Sequence, residues 1–504
     1  MTTGGPAVVA CYTLPTPPWP SSLRCSRRSW RERSVSETVH VYGDDILGEH
    51  DAVGLAALLR KGELDPAEVA RAAVERVRVA DQRLNAVQTP LYEEALATTA
   101  GQPRSGAGVF AAVPSFVKDN TDYRGAPTGH GSAAFTARPA KRHAAFTRQF
   151  LSTGVTVLGK TRLPEFGFNA STEYEHAEPV HNPWNTAHSA GGSSGGSAAL
   201  VASGAVPVAH ANDGGGSIRI PAACCGLVGL KTSRGRMVAN DQGSKLPIDL
   251  ISDGIVSRTV RDTAAFHAAA ERHWRNPELP PLGHIEGPSD RRLTIGLLLD
   301  SPTGAHTDDA TRAAVTATAT ALEGAGHTVE PVEIPLDSRF EEDFLTYWGM
   351  LSFLSGATGR LLHERGFDSR RMDGLSQGLR TRFRRRLRSA PGALSRLRRA
   401  TADYVTVFRE HDLVLSPVLA HTTPRLGHLS PAVPYDTLVQ RLTAYVAFTP
   451  LNNVIGTPSI ALPAATTEDG LPIGVMLSAR HGDERTLIET AFTLEAVQPW
   501  PTHP

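Results

Sequence analysis

Three short segments carry side chains that serve a core poorly and chemistry well: FVKDN at 116–120, AGGSSGGS at 190–197 and NDGGGSIRIP at 212–221. In the last of these, Gly214, Gly215 and Gly216 run directly into Ser217. Three consecutive glycines cost backbone entropy and fill no volume, which marks a place where the backbone approaches another group closely. Amide N–H groups ahead of a serine can converge beside its hydroxyl, the arrangement that holds an oxyanion when a serine attacks a carbonyl. A Gly-rich turn is the plain structural alternative. A phosphate cradle is disfavoured, because the GK[ST] ending of a nucleotide loop is missing.

AGGSSGGS has the composition of a flexible linker, but it runs straight into AALVASGAVPVAHA, an apolar small-residue stretch that has to be buried. It satisfies GxSxG twice, centred on Ser193 and on Ser194, so the nucleophile elbow of an α/β-hydrolase stays open as a rival. Lys118 closes the apolar run VPSFV, which as a strand would deliver the amine from the interior into a cleft. Lysine is seldom buried without a reason. Desolvation lowers its pKa, and a neutral amine is a competent general base. The alternative is a strand-end lysine with its head in water.

These segments need elements to hold them. From Asp51 the pattern is helical, with Val53, Leu55, Leu58 and Leu59 on one face; a GELDP turn then leads to a second helix over Pro66 to Val79. Between about 108 and 270, short apolar strands such as Val113 to Val117 and Val155 to Leu158 alternate with Gly-rich loops and small-residue helices. That alternation predicts an α/β fold, a sheet layered by helices. After a Pro-rich linker, a β-α-β unit is expected over Leu293 to Leu299, Asp308 to Gly324 and Thr328 to Ile334. Within residues 365–400, the nine arginines from Arg380 to Arg399 stand at helical spacing with Leu379, Phe383, Leu387, Leu394 and Leu397, which reads as the solvated side of an amphipathic helix. Further strands are expected at Leu413 to Leu415, Ser459 to Leu462 and Ile473 to Leu477, with a closing helix over Glu484 to Leu494.

The chain has 504 residues, 51 basic and 51 acidic side chains and no net charge, so nothing in its balance favours nucleic acid or an anionic membrane. No apolar run approaches the roughly 18 residues of a membrane span. The four cysteines (Cys11, Cys25, Cys224 and Cys225) lack disulfide or zinc spacing, which points to a reducing cytoplasm. The adjacent pair after Ser217 reads as small buried packing. His130, His143, His176, His181, His188 and His210 likewise show no metal-ligand spacing. Residues 1–40, rich in Pro, Ser and Arg, read as a disordered extension, leaving 41–504 as one domain.

Taken in order, the three segments resemble the amidase signature family. NPWNTAHSAGGSSGGSAALVASG and DGGGSIRIPAACCGLVGLK, over 182–231, look like its signature, and VPSFVKDN, LGKTRLPEFG, GIVSRTVRD, GTPSIALP and DGLPIGVMLSARHGDERTL extend the likeness from about 50 to 500. The resemblance implies the amidase signature fold, a single large domain with a mixed twisted sheet covered by helices on both faces, with a core at about 110–270 and a variable, substrate-shaping region at about 335–450. It also implies a Ser-cisSer-Lys triad: Ser217 as nucleophile, Ser193 as the bridging serine after a cis Gly192–Ser193 bond, and Lys118 as base. Oxyanion donors would be the amides of Gly214, Gly215, Gly216 and Ser217. The implied reaction is hydrolysis of a carboxamide through an acyl-serine, with no metal and no cofactor, on a small-molecule amide.

The stretch HANDGGGS departs from the threonine-containing DTGGS pattern common in the family, and DGGGSIRIP with CCGL is most similar to the subset that opens 6-aminohexanoate cyclic dimer. Ile220 stands where the amidotransferase A subunit has glutamine, which weakens that alternative. Asp213 and Arg219 read as loop-holding partners, since an always-charged arginine cannot act as a base. A homodimer stays open.

Overall fold

The first two helices begin where their capping chemistry dictates. In the computed structural model, which describes Met1 and residues 38–100, 107–241 and 243–504, Asp51 caps Ala52–Lys61 by accepting the Gly54 N–H. Asp65 caps Pro66–Leu84, with Pro66 at the first helical position, where its missing N–H costs nothing. Cys11, Cys25 and nearly all of the 1–40 extension lie outside the described residues.

Eleven strands follow among the described residues: β1 Val87–Pro90, β2 Pro114–Lys118, β3 Thr156–Thr161, β4 Val208–Asp213, β5 Val228–Lys231, β6 Ser252–Ser257, β7 Thr294–Leu297, β8 Thr328–Pro331, β9 Leu413–Pro417, β10 Ser459–Thr466 and β11 Pro472–Ala479. Eight form one mixed sheet in the order β4-β6-β5-β10-β11-β9-β7-β8, parallel at β7 with β8 and β9 and antiparallel elsewhere. The other three form a small sheet, β1-β3-β2, which the single sheet expected from the sequence did not separate.

Strand periodicity explains how the large sheet is covered on both faces. Ile460, Leu462, Val475 and Leu477 point into one cluster with Val260 and Ala264, with Val315 and Leu322, and with Leu487, Ile488 and Leu494 of the closing helix Glu484–Val497. Their neighbours Ala461 and Met476 point to the opposite face, into the cluster that holds Ala198 to Ala202 and Ile218 to Cys225. Each fully buried Leu or Ile stabilises by about 1.5–3 kcal/mol, so this apolar stripe rather than local propensity fixes the closing helix.

The arginine-rich region folds as two helices, Gly374–Arg386 and Ala390–Val405, broken by a short turn at Leu387–Ser389. Leu379, Phe383 and Leu397 are buried, whereas Leu387, expected on the apolar side, is exposed at the break. No described helix is long and apolar enough to cross a membrane.

Candidate active site

Strand β2 is buried along its whole length and pairs with β3 in parallel, aligning Lys118 with Thr161. Two contacts tie it to β4 of the other sheet. Ser115 Oγ donates to the Val208 carbonyl at 2.8 Å, and the Lys118 N–H donates to His210 Nδ1 at 3.1 Å. Because a backbone N–H can only donate, His210 Nδ1 is the acceptor and the ring proton sits on Nε2, facing Asp253 Oδ1 at 3.3 Å. Burial pushes the pKa of His210 down, so the ring stays neutral behind the lysine.

The Lys118 side chain is fully buried. Its Nζ lies 2.8 Å from each of Ser193 Oγ, Ser194 Oγ and Asn212 Oδ1, and no carboxylate among the described residues touches it. Desolvation lowers its pKa to about 7, with Asp213 and Asp253 opposing that shift from a distance.

The proton inventory around this amine follows from its partners. Ser194 Oγ donates its only proton to the Ser217 carbonyl at 2.6 Å, so towards Lys118 it can only accept. Asn212 is oriented by a reciprocal amide pair with Asn120, at 3.1 and 3.2 Å, which leaves Oδ1 as an acceptor. A neutral amine has two N–H donors and one lone pair. Ser194 and Asn212 take the two donors, and the lone pair is left facing the Ser193 hydroxyl.

The Gly192–Ser193 peptide bond is cis. Its neighbourhood is crowded: a Cβ on Gly192 would lie 2.7 Å from the Asn169 carbonyl, and one on Gly167 would lie 3.0 Å from Ser193 Oγ. The helix Gly195–Ala202 starts directly after the two serines and is buried throughout.

The Ser217 loop is organised by Asp213 at the end of β4. Its carboxylate accepts the Gly216 N–H at 2.7 Å and the Ile218 N–H at 3.1 Å, and Arg219 pairs with both its oxygens at 2.9 and 3.0 Å. Burial alone would raise the Asp213 carboxyl, but the Arg219 guanidinium reverses this and holds it well below the usual carboxylate range. Gly216 adopts φ +130°, and a Cβ there would meet Thr449 Oγ1 at 2.4 Å. Of the four amides expected to face an oxyanion, that of Gly216 is therefore turned inward to Asp213. Those of Gly214, Gly215 and Ser217 have no protein partner among the described residues.

Ser217 opens into a cavity, about 820 Å³ when the solvent in its open mouth is included, whose wall is largely apolar and drawn from segments 167–170, 340–348, 375–379 and 439–450. The Ser217 hydroxyl makes no hydrogen bond to a described residue, and Ser193 and Ser217 are not directly bonded in this geometry. The structure thus brings Lys118 and Ser193 into contact and sets Ser217 beside them through Ser194. Sequence reasoning missed Ser194 and Asn212 as lysine partners. Strand alternation puts Asn212 on the same side of β4 as His210, but nothing within the strand says that this side meets Lys118. Cys224 and Cys225 are buried, as their packing role requires.

The amidase family model matches residues 68–488, and the chain belongs to that family. It is 45% identical over 468 residues, covering 92% of this chain and 98% of the relative, to a Mycobacterium leprae protein named "Putative amidase AmiC". It is 32% identical over 473 residues, 89% of this chain and 95% of the relative, to the 6-aminohexanoate-cyclic-dimer hydrolase of Paenarthrobacter ureafaciens. Among solved structures, 6-aminohexanoate cyclic dimer hydrolase complexed with substrate superposes with a TM-score of 0.81 at 30% identity, over 90% of this chain and 98% of that one.

Proposed function

We propose that this amidase cleaves a carboxamide of apolar character through an acyl-Ser217 intermediate, with neutral Lys118 as the base acting through Ser193. The observation that carries the reading is the set of three 2.8 Å contacts from Lys118 Nζ to Ser193 Oγ, Ser194 Oγ and Asn212 Oδ1: in the neutral amine the two N–H donors serve Ser194 and Asn212, which leaves the lone pair for Ser193. Substrate binding has to close one link, from the Ser217 hydroxyl to Ser193 Oγ, and catalytic hydrogen bonds commonly tighten only in the complex.

In the first step Ser217 Oγ attacks the amide carbon, its proton passes to Ser193 Oγ, and the Ser193 proton passes to Lys118. The C–O bond forms as the carbonyl π pair moves onto oxygen, which the amides of Gly214, Gly215 and Ser217, unpaired among the described residues, would receive. Collapse breaks the C–N bond. The departing nitrogen takes a proton back along the same path and leaves as amine or ammonia. Water then attacks the acyl-serine by the same relay, releasing the carboxylate and restoring Ser217.

Ser194 is a poor nucleophile candidate by the same inventory, since it is fully buried and its proton is committed to the Ser217 carbonyl. This argues against the elbow reading of the double GxSxG. The discriminating experiment is peptide mass mapping after incubation with an activated ester or a fluorophosphonate. The adduct is expected on Ser217, and an adduct on Ser193 or Ser194 would overturn the assignment.

The base must be neutral to work, so kcat/KM is expected to fall about tenfold per pH unit below the Lys118 pKa of about 7 and to level off above it. A pH–rate profile flat from 5 to 8 would remove Lys118 as the base.

A further inference from the structure

Several polar side chains line the cavity, and nearly all are engaged by the protein. Asn169 donates to the Leu429 carbonyl at 2.7 Å, Thr303 bonds Ser301 Oγ at 2.8 Å, Thr443 donates to the Gln440 carbonyl at 3.3 Å, and Trp348 Nε1 donates to the Phe168 carbonyl at 3.2 Å. Two are not engaged among the described residues: the Ser217 hydroxyl and the Glu341 carboxylate. Glu341 is also the one ionisable side chain among the described residues of the cavity wall.

Its position is set by the helix Phe340–Leu362. Glu341, Phe344, Leu345 and Trp348 all line the cavity, the i, i+3, i+4, i+7 set of one helix face. Phe344 and Trp348 stand over the nucleophile loop, since a Cβ on Gly215 would lie 3.5 and 3.6 Å from their rings. Glu341 is therefore further from Ser217, one turn beyond Phe344 and about 10 Å along the axis from Trp348. An acidic residue in a first helical turn is favoured by the helix dipole, and Glu342 and Asp343 beside it gain the same benefit. Those two, however, are satisfied by arginines: Glu342 by Arg382 and Arg386, and Asp343 by Arg396. Glu341 faces the cavity instead, half-buried, with Glu342 and Arg382 as its nearest charges.

We propose that Glu341 determines specificity by receiving a cationic nitrogen at the far end of an otherwise apolar amide substrate, with the scissile carbonyl at Ser217. The cavity then reads a substrate at two points, a carbonyl at one end and a positive charge at the other, with the apolar wall holding the chain between them. Desolvation raises the Glu341 carboxyl, which a bound ammonium would offset by pairing with its charged form. This inference rests on the acyl-Ser217 reading above.

The test uses the full-length protein and two matched pairs of amides. Hexanamide against 6-aminohexanamide puts the charge on the acyl side; N-hexylacetamide against N-(6-aminohexyl)acetamide puts it on the amine side. In at least one pair the ammonium-bearing amide is expected to have a kcat/KM about tenfold higher, expressed mainly in KM. Glu341→Gln should erase that preference, bringing the kcat/KM ratio within the pair close to one, Glu341→Asp should keep part of it, and Glu341→Lys should reverse it. Turnover of neutral amides with no preference in either pair, or a preference that survives Glu341→Gln, overturns the role of Glu341 and leaves the hydrolase reading standing. No turnover of any of the four, neutral or charged, overturns both.

Discussion

Replacing Lys118 by methionine is expected to lower kcat/KM by about 10³–10⁴-fold, and adding Ser217→Ala to that variant should cost almost nothing more. The near-equality is the informative part. In a relay, the base has value only while there is a nucleophile to activate, so the two losses describe one event and do not add. Methionine matches the length of the lysine stem and leaves no buried charge, so β2 should keep its pairing with β3 and its ties to Val208 and His210. Circular dichroism and a melting curve check that point. If the double variant is much slower than either single variant, Lys118 acts somewhere other than on Ser217. If Lys118→Met alone retains most of its activity, the base lies elsewhere.

The second large effect is on stability. Arg219 is among the most deeply buried side chains, and among the described residues it alone supplies the formal positive charge that touches Asp213. Arg219→Met is expected to destabilise by about 3–5 kcal/mol, because it leaves an uncompensated carboxylate in the interior. The midpoint of a denaturant titration should drop, and activity should fall with it, since the same carboxylate holds the Gly216 and Ile218 amides on either side of Ser217. Adding Asp213→Asn should recover part of the stability by removing the stranded charge. The pH sign follows from the depressed carboxyl: its stabilising contribution is present above the ordinary value of 3.8 and is lost as pH falls through the lower, folded value. The gap between wild type and Arg219→Met should therefore narrow in strong acid.

What could be read from the residues alone follows from chemistry that is local in sequence. A glycine run before a serine, a lysine at the end of an apolar strand and small residues entering a buried helix each violate core logic in a short window, which makes Ser217, Lys118 and Ser193 visible. The capped helices after Asp51 and Asp65 are legible for the same reason. The partners of Lys118 are not local. Asn212 reaches it only because β2, in the small sheet, lies against β4 at the edge of the large one, and no periodicity within either strand encodes that crossing. The four amides around Ser217 are equivalent in sequence, and the distinction among them arises from which one the Asp213 carboxylate captures. The arginine-rich stretch misled in a milder way. Its spacing is helical throughout, but a turn at Leu387–Ser389 resets the face, and the proline at 391 near the start of the second helix is the signal that marks the break.

Folding itself is a deprotonation. In the unfolded chain Lys118 titrates near the ordinary lysine value of 10.5, and burial moves it to about 7. Between those two values the unfolded chain carries a proton at this position that the folded chain does not, so refolding at pH 9 should acidify a weakly buffered solution by about one proton per chain from this site. The unfolded state binds the extra proton, so the lysine's contribution makes the fold more stable as pH rises through that window. In Lys118→Met both the acid release and the slope should diminish. No neighbouring residue has to make the Lys118 amine neutral, because closing the core over it has already done so.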